Sequence, residues 1–486
     1  MNKISCFLPY AGKEQVEKTV NSLQATGLIE EIRLITTDAT LESLPDCEIL
    51  FVDMPYSSAT LKAIANAAKG EYTLLYTKET TLEMGMFALE RMIHILEDSS
   101  AGMVYADHYQ IADGKQSNAP VIDYQFGSLR DDFNFGSLLL FNTEKLKEAA
   151  GHMKSDYNFA GLYDLRLKLS QHSDLVHINE YLYSEVENDT RKSGEKIFDY
   201  VDPKNRDRQI EMEQACTEHL KEIGGYLAPE FKKIEFSAGN FEYEASVIIP
   251  VRNRIRTIRD AIKSVLMQKT DFKYNLIIID NHSTDGTTEA IDEFKDDERA
   301  IHIIPERTDL GIGGCWNMGV HHPKCGKFAV QLDSDDVYKD ENTLAIMVRA
   351  FYEQNCAMVV GTYMMTDFNM NMIAPGIIDH KEWTPANGRN NALRINGLGA
   401  PRAFYTPVLR EVKVPNTSYG EDYALGLNFS RQYQIGRVYD VVYLCRRWDD
   451  NSDASLDIVK MNGHNLYKDR IRTWELQARI AMNKNK

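Results

Sequence analysis

Short apolar runs alternate with amphipathic, helix-like stretches along most of this chain. In the second half the runs cover residues 246–250, 276–280, 301–304 and 328–332. Continuous apolar runs between helices predict strands that are buried on both faces, and therefore an α/β fold with a mostly parallel sheet. Because ligands bind beyond the carboxyl ends of such strands, the residues that follow each run are the first candidates for chemistry.

The same succession of elements occurs in both halves, at a spacing of roughly 250 residues. Each half opens with an apolar strand that includes a proline, Pro9 or Pro250, and continues into an amphipathic helix. Further on, the segment at Thr77 corresponds to the segment at Asp333. Any two α/β domains share some strand–helix texture, but a near-constant spacing over separate blocks favours a duplication.

We therefore expect two tandem Rossmann-like domains. They span residues 1–190 and 243–486, and residues 191–242, which are charged and predict a helix, link them. The last stretch of the chain predicts a further helix, with Ile471 and Trp474 on its apolar face. We expect this helix to pack on the second domain, and its basic, aromatic composition leaves peripheral contact with an anionic membrane as the alternative.

Composition argues against several classes of protein. The chain has 486 residues and a formal net charge of −17, which argues against a nucleic-acid partner. No apolar run approaches the roughly 18 residues of a transmembrane segment, and the N-terminus lacks the apolar core of a signal peptide. The cysteines are scattered without a C-x-x-C pair, so we expect reduced thiols and a cytoplasmic location.

Three acids follow an apolar strand of the second half. Asp333, Asp335 and Asp336 repel one another and are costly to desolvate unless a divalent cation lies between them. Mg²⁺ and Mn²⁺ prefer oxygen ligands, and Mg²⁺ commonly adds phosphate oxygens of the substrate. The alternative is a solvated turn before the next helix. His464 is a further candidate metal ligand, although a lone histidine is more often a surface or packing residue.

Polar residues also follow the first two strands of this half. Pro250 ends the first strand and Asn253 lies in the loop after it, whereas the second strand ends at Asp280. A carboxylate at such a strand end can accept hydrogen bonds from a nucleobase or a ribose. Asp285, in the loop after the second strand, either contacts the ligand or caps the next helix. The glycines of residues 311–319 would let the backbone approach a phosphate or a sugar.

Two later segments carry candidate catalytic and anion-binding groups. Asp422 precedes a helix-like run, where a carboxylate serves either as a general base or as a helix cap. Arg446 and Arg447 follow an apolar strand, and adjacent arginines can clamp a diphosphate. A surface salt bridge to Asp449 or Asp450 is the alternative.

Six segments of the second half, in their order and spacing, resemble the pattern of glycosyltransferase family 2. They are SVIIPVRNR, IIIDNHSTDGT, TDLGIGGCWNMGV, FAVQLDSDD, YGEDYALGL and CRRW. The resemblance implies the GT-A fold, in which one α/β domain binds a nucleotide-sugar, and we expect two tandem GT-A-like domains. It also implies an inverting, metal-dependent transfer of the sugar to a hydroxyl acceptor.

The resemblance assigns roles to six residues. They are Asp280 for the nucleobase, Asp333 for the ribose, Asp335 for the metal, Asp422 for the general base, and Arg447 with Trp448 beside the diphosphate and the acceptor. We expect a UDP-sugar as donor, Mg²⁺ or Mn²⁺ as metal, and a glycan or lipid-linked saccharide as acceptor, in glycan or polysaccharide assembly. The alternatives are a non-catalytic carbohydrate- or nucleotide-binding protein and a nucleotidyltransferase.

The first half has the same pattern of strands and helices as the second, but it lacks most of the acids that follow the strands there. Lys78 lies within the segment that corresponds to the acidic run, and Thr36 stands where the second half has Asp280. Asp164 corresponds to Asp422. Because a lysine would oppose a bound cation, we expect a GT-A-like domain that is non-catalytic or altered. A second transferase with a metal-independent site is the alternative.

Overall fold

The computed structural model describes residues 3–42, 44–187, 205–237, 239–448 and 456–485. These residues divide into two compact units. The first unit comprises residues 3–187, 205–226 and 456–485, and the second comprises residues 227–448. The salt-bridge partners considered for the paired arginines, Asp449 and Asp450, lie outside the described residues.

The first unit alternates strands and helices from its first residues. Its strands are β1 (Ile4–Pro9), β2 (Ile29–Thr36), β3 (Glu48–Phe51), β4 (Tyr72–Tyr76), β5 (Leu82–Met84), β6 (Met103–Ala112), β7 (Lys115–Ala119), β8 (Leu138–Asn142) and β9 (Leu175–Val186). Its helices up to the second unit are α1 (Lys13–Gln24), α2 (Ser58–Ala67), α3 (Ala88–Asp98), α4 (Thr143–His152), α5 (Gly161–Ser170) and α6 (Arg206–Glu222).

The second unit repeats this alternation. Its strands are β10 (Ala245–Val251), β11 (Tyr274–Asp280), β12 (Ala300–Ile303), β13 (Phe328–Gln331), β14 (Val337–Tyr338), β15 (Met358–Thr366), β16 (Met372–Ile378), β17 (Arg402–Tyr405) and β18 (Ile435–Arg446). Its helices are α7 (Ile258–Leu266), α8 (Thr287–Asp292), α9 (Ile312–His321), α10 (Thr343–Gln354), α11 (Gly388–Asn391), α12 (Thr406–Val412) and α13 (Glu421–Gln432). The last helix of the chain is α14 (Ile458–Lys484), which belongs to the first unit.

The two sheets have the same strand order. The first sheet runs β3-β2-β1-β4-β8-β6-β9-β5 with β7 beside β6, and the second runs β12-β11-β10-β13-β17-β15-β18-β14 with β16 beside β15. In each sheet the first four strands are parallel, and the other half combines antiparallel pairs with one further parallel pair, β6 with β9 or β15 with β18. The expected pair of tandem α/β units is confirmed, and each sheet is mixed, with its parallel part confined mainly to these four strands.

Burial explains why these segments form strands. Val247 and Ile248 in β10, and Ile277 and Ile278 in β11, have no exposed surface. Strands of this kind are covered on both faces, so both alternating sets of side chains must be apolar. Polar side chains are therefore confined to the ends of β10, β11 and β13. The candidate site residues follow the carboxyl ends of these strands and so lie at one edge of the sheet.

The helix predicted within the linker is α6, and it packs in the first unit. The Glu211 carboxylate on α6 accepts hydrogen bonds from the backbone amides of Asn158, Phe159 and Ala160, at 3.1, 2.6 and 3.1 Å. These amides lie at the N-terminus of α5, where helix geometry leaves donors unpaired. Residues 205–226 are therefore part of the first unit and not a separate linker, whereas residues 191–204 lie outside the described residues.

The C-terminal helix also differs from our expectation, because the structure assigns it to the first unit and not to the second. The Thr473 hydroxyl accepts a hydrogen bond from the Gly127 amide at 2.9 Å, and Asp469 accepts one from the Ser128 hydroxyl at 3.0 Å. Ile471 is buried as expected, but Trp474 is 56% exposed. Among the helices that the structure describes, none is long and apolar enough to cross a membrane.

A buried carboxylate on α5 makes the stability of the first unit depend on pH. Asp164 has no exposed surface, and neither of its side-chain oxygens has a hydrogen-bond partner. The Lys168 ammonium lies 3.8 Å away, but it also contacts Glu222 at 2.6 Å. Burial outweighs the attraction of Lys168 and raises the pKa of Asp164 from 3.8 to about 7.

We expect Asp164→Asn to raise the free energy of unfolding of the first unit, relative to the wild type, more at pH 8 than at pH 4. The raised pKa means that the folded protein binds this proton more tightly than the unfolded chain does. The stability of the wild type therefore falls between about pH 4 and pH 7, and the asparagine variant lacks this loss. The gain at pH 8 relative to pH 4 should be roughly 1–3 kcal/mol in the free energy of unfolding, measured by urea denaturation.

The control for this experiment is Asp156→Asn, because Asp156 is largely exposed and pairs with Lys62 at 3.4 Å. Its effect on the free energy of unfolding should be small at both pH values. An Asp164→Asn effect that is the same at pH 4 and pH 8 would contradict the prediction.

Candidate active site

A cavity of about 300 Å³ lies in the second unit, at the carboxyl ends of β10 and β13. Acidic, basic and apolar side chains from six segments of the chain meet in it. Its lining comprises Pro250, Arg254, Ile312, Trp316, Gln331, Asp333, Ser334, Asp335, Asp336, Arg402, Phe404, Val414, Glu421, Asp422, Leu425, Cys445 and Arg447. This is the edge of the sheet where the sequence predicted a ligand site.

Asp333 begins the acidic loop after β13. Its backbone amide donates to the Tyr443 hydroxyl at 3.2 Å, and its carboxylate accepts from the Gln331 side chain at 2.8 Å. Burial raises the pKa of Asp333, against the attraction of Arg402, and the nearby charge of Asp335 raises it further. Desolvation and the neighbouring like charge therefore both oppose the ionisation of Asp333.

Asp336 lies deeper in the same loop and is buried. Its carboxylate accepts a hydrogen bond from the Arg446 backbone amide at 2.8 Å. Burial, Asp335 and Asp333 together raise the pKa of Asp336 well above its usual value. The ionisation of Asp333 and Asp336 is thus opposed in the protein alone, and a divalent cation beside them would stabilise their charged forms.

Metal binding can be tested against the donor set. Among the described residues, no group of three His, Cys, Asp or Glu side chains is arranged to hold an ion alone. Asp333 and Asp335 both line the cavity, however, and two carboxylates suit an ion that takes its other ligands from water and substrate phosphates. The residues therefore fit a Mg²⁺ or Mn²⁺ ion that arrives with a phosphorylated substrate.

The adjacent arginines at the end of β18 have different surroundings. Successive residues of an extended chain point to opposite sides, so Cys445 and Arg447 line the cavity and Arg446 does not. Arg446 is fully buried, donating to the Asp335 carbonyl at 2.5 Å and to the Asp260 carboxylate at 2.9 Å. It holds the acidic loop in place, which differs from the diphosphate clamp that we expected of both arginines.

Opposite the acidic loop, α13 begins with two more acids, Glu421 and Asp422. The Asp422 carboxylate lies 2.7 Å from the Arg402 guanidinium, and the same Arg402 nitrogen donates to the Gly399 carbonyl at 2.7 Å. Burial and the neighbouring Asp422 raise the pKa of Glu421 to about 8. The two acids are therefore placed in different electrostatic environments, Asp422 in contact with a cation and Glu421 in a buried site that favours its neutral form.

The loops after β10 and β11 are tied together by polar contacts. Asn253 adopts a positive φ of 54°, its amide donates to the Ser283 hydroxyl at 2.9 Å, and its side chain accepts from the Thr284 amide at 2.8 Å. The Asp285 carboxylate accepts from the Ile255 amide at 3.1 Å. Asn253, which we expected to contact the ligand, instead forms these cross-links. Asp285, for which we left ligand contact and a helix cap open, also accepts from the Thr287 amide at 3.0 Å at the start of α8. Neither residue lines the cavity that the described residues enclose.

Asp280 is also engaged inside the protein. It is fully buried, and its carboxylate accepts hydrogen bonds from the Ser283 amide at 3.0 Å and the Thr288 hydroxyl at 2.5 Å. Burial opposes its ionisation, but the His302 ring 3.6 Å away and the hydrogen bonds from Ser283 and Thr288 outweigh burial and lower the pKa of Asp280. Asp280 therefore shapes the loop after β11, and in the described residues it does not reach the cavity.

The glycines of α9 serve packing between backbones. A Cβ atom on Gly313 would lie 1.8 Å from the Pro415 carbonyl oxygen, and one on Gly314 would lie 2.3 Å from the Asn416 side chain. We expected these glycines to admit a phosphate or a sugar. In the structure the absence of side chains at these glycines lets Pro415 and Asn416, in the segment that leads to α13, pack against the backbone of α9.

The two remaining predicted residues lie outside the cavity lining. Trp448 stacks at an angle with Phe368, with ring centroids 5.6 Å apart, and the Arg256 guanidinium lies 4.8 Å from the Trp448 ring. His464, the further candidate metal ligand, lies on α14 in the first unit. Burial and the charges of Lys460 and Lys468 lower the pKa of His464.

The first unit shows the opposite charge pattern at the equivalent strand ends. The Lys78 ammonium, after β4, lies 2.5 Å from Glu185 and 3.1 Å from Glu187, at the end of β9. Asp164 is the fourth residue of α5, whereas Asp422 is the second of α13, so their correspondence is approximate.

The sequence analysis missed three charged residues of the cavity. Arg402 lies in no recognised motif and contacts Asp422 from a separate strand. Glu421 is adjacent to Asp422 in the sequence, but the sequence did not indicate that its side chain is buried. Arg254 lies in the loop after β10, and its Nε is 3.6 Å from an Asp335 oxygen. The signal for Arg254 was the run of alternating arginines in VRNRIRT.

Comparison with known proteins agrees with this geometry. The model of Glycosyl transferase family 2 matches residues 246–403, which include β10 to β13 and the acidic loop. The chain is 27% identical over 122 residues to the glycosyltransferase GlyG of Streptococcus pneumoniae serotype 4, covering 25% of this chain and 40% of that protein. It is 29% identical over 126 residues to the putative teichuronic acid biosynthesis glycosyltransferase TuaG of Bacillus subtilis, covering 26% of this chain and 49% of that protein.

The chain thus spans less than half the length of these two relatives. Among solved structures, S. aureus TarS 1-349 in complex with UDP-GlcNAc is similar with a TM-score of 0.38 and 18% identity, over 49% of this chain and 72% of that one. Four of the six segments on which the resemblance rests lie within the residues that this family model matches. Residues 246–403 of the second unit are therefore similar to Glycosyl transferase family 2, as the sequence analysis expected.

Proposed function

We propose that the second unit transfers a sugar from a nucleotide-sugar to a hydroxyl group of an acceptor, with inversion at the anomeric carbon and with a divalent metal. The observation that carries this proposal is the single cavity in which Asp333 and Asp335 face Glu421 and Asp422. One acid pair suits a cation with a diphosphate, and the other suits proton removal from an acceptor.

The donor would bind on the side of the acidic loop. Asp333 and Asp335 would hold Mg²⁺ or Mn²⁺, which neutralises the charge of the departing nucleoside diphosphate. Arg447 lines the same cavity, and its guanidinium can pair with phosphate oxygens. The part of Asp280 would be indirect, because its hydrogen bonds shape the loop that follows β11.

The acceptor would approach Asp422. The Arg402 guanidinium lies 2.7 Å from the Asp422 carboxylate and holds this side chain at the cavity wall, where an acceptor hydroxyl would meet it. As the acceptor oxygen bonds to the anomeric carbon, its proton passes to Asp422 and the bond to the diphosphate oxygen breaks. Attack from the face opposite the leaving group inverts that carbon.

The substrates follow the resemblance and the relatives. We propose a UDP-sugar as donor and a glycan or lipid-linked saccharide as acceptor, in line with relatives that include a putative teichuronic acid biosynthesis enzyme. The first unit would be non-catalytic, because Lys78 paired with Glu185 and Glu187 takes the place of an acidic loop. No feature of the described residues favours a nucleotidyltransferase or a purely binding function over transfer.

We expect calorimetry to detect one nucleotide-binding site per chain, dependent on Mn²⁺ or Mg²⁺. The purified protein would be titrated with UDP, GDP, CDP and dTDP, with and without metal, and the same titrations would be made with Asp335→Ala. Loss of a metal ligand should weaken binding at least about tenfold. A stoichiometry near two would show that the first unit also binds nucleotide, and absence of metal-dependent binding to folded protein would overturn the proposal.

We expect Asp422→Asn to lower kcat by a factor of about 10² to 10⁴, because an amide cannot accept the acceptor proton. Metal-dependent nucleotide binding should stay near that of the wild type, since Asp422 pairs with Arg402 and is not one of the proposed metal ligands. The matched control is Asp297→Asn, which removes an ion pair with Arg299 at 2.7 Å outside the cavity. Sugar transfer by Asp422→Asn at the wild-type rate would exclude Asp422 as the base.

A further inference from the structure

We propose that Arg254 is a displaceable counter-ion of the metal site. In the ligand-free protein its guanidinium partly neutralises Asp335, and cation binding releases it to bind the diphosphate of the donor. This inference rests on the proposed function of the second unit and adds a residue that none of the recognised motifs assigns.

The ion pair between Arg254 and Asp335 is loose. The Arg254 Nε lies 3.6 Å from an Asp335 oxygen, and the two side chains are 25% and 17% exposed. By contrast, Arg402 and Arg446 approach Asp422 and Asp260 at 2.7 and 2.9 Å. A charge pair at this distance lacks the short, charge-assisted hydrogen bond that holds the other two arginines, so a divalent cation can displace Arg254 more readily than either of them.

The backbone of Arg254 is fixed, so only its side chain needs to move. Its amide donates to the Thr287 hydroxyl at 2.8 Å, and its carbonyl accepts from the amides of Thr257 and Ile258 at 3.0 and 2.9 Å. These contacts hold the residue at the start of α7. A guanidinium that leaves Asp335 therefore remains at the cavity wall, which Arg254 shares with Arg447.

The charges around the cavity explain why Arg254 would leave Asp335 when a cation binds and pair with the diphosphate instead. Asp333, Asp335 and Asp336 crowd the acidic loop, and Arg254 supplies one positive charge beside it. A divalent cation supplies two, which makes the arginine redundant there. The nucleotide-sugar brings a diphosphate, and the planar fork of a guanidinium matches phosphate oxygens. Arg254 thus pairs with Asp335 before the cation binds and with the diphosphate of the donor afterwards.

The test measures two affinities that should move in opposite directions. Mn²⁺ would be titrated alone into wild type, Arg254→Met and Arg254→Lys, and UDP and GDP would then be titrated separately at saturating Mn²⁺. Removing the competing charge should tighten Mn²⁺ binding about two- to fivefold in Arg254→Met. Loss of the phosphate contact should weaken nucleotide binding roughly tenfold or more in the same variant.

Two further variants make the result specific. Arg254→Lys keeps the charge and loses the fork, so its Mn²⁺ affinity should match the wild type while nucleotide binding weakens. Arg259→Met removes the arginine of an exposed pair with Glu293 at 2.5 Å on α7 and should change neither affinity. A thermal unfolding measurement of each variant confirms that the titrated protein is folded.

Every other pattern overturns the inference. If both affinities fall in Arg254→Met, the residue is structural, and if Mn²⁺ affinity is unchanged while nucleotide binding weakens, Arg254 is a phosphate ligand without the counter-ion role. Absence of Mn²⁺ binding to all the variants and to the wild type, with or without nucleotide, would overturn the proposed metal-dependent function together with this inference.

Discussion

Repulsion among carboxylates that are held at the end of a buried strand is the constraint on which the second unit depends. Strand β13 is apolar and enclosed, so the chain cannot turn away from the sheet before Asp333, and the three acids are delivered together into a partly dry environment. The rest of the site responds to that charge. Arg446 supports the loop from behind, Arg254 meets it from the β10 side, and Arg402 separates it from Asp422.

The duplicated scaffold shows how little of this arrangement the fold itself requires. The two sheets share one strand order, yet at the equivalent strand ends the first unit has a lysine facing two glutamates where the second has acids facing arginines. A strand end offers only a position, and its chemistry is decided by a few side chains. Reversing the sign of the charge on both sides preserves the pairing of opposite charges between these strand ends.

The sequence predicted the parts of the structure that are encoded locally. The apolar runs and the acids that follow them could be identified because a buried strand and the residues at its end are adjacent in the sequence. The failures came from information that the chain does not carry locally. The side to which Arg446 or Arg447 points depends on where β18 ends, and the partner of α14 depends on buried contacts such as that of Asp469 with Ser128. Arg402 reaches Asp422 from another strand, and no spacing indicated that contact.

The glycines of α9 set the width of the cavity by a means that side chains cannot alter. Gly313 lies so close to Pro415 that the helix and the segment leading to α13 meet backbone to backbone. The segment that leads to α13 therefore cannot move closer to α9 at this point, whatever side chains surround it. Substitution of apolar neighbours such as Val414 or Leu425 can reshape the wall of the cavity, but it leaves this main-chain contact in place. The shape of the cavity is therefore more easily changed along its other sides.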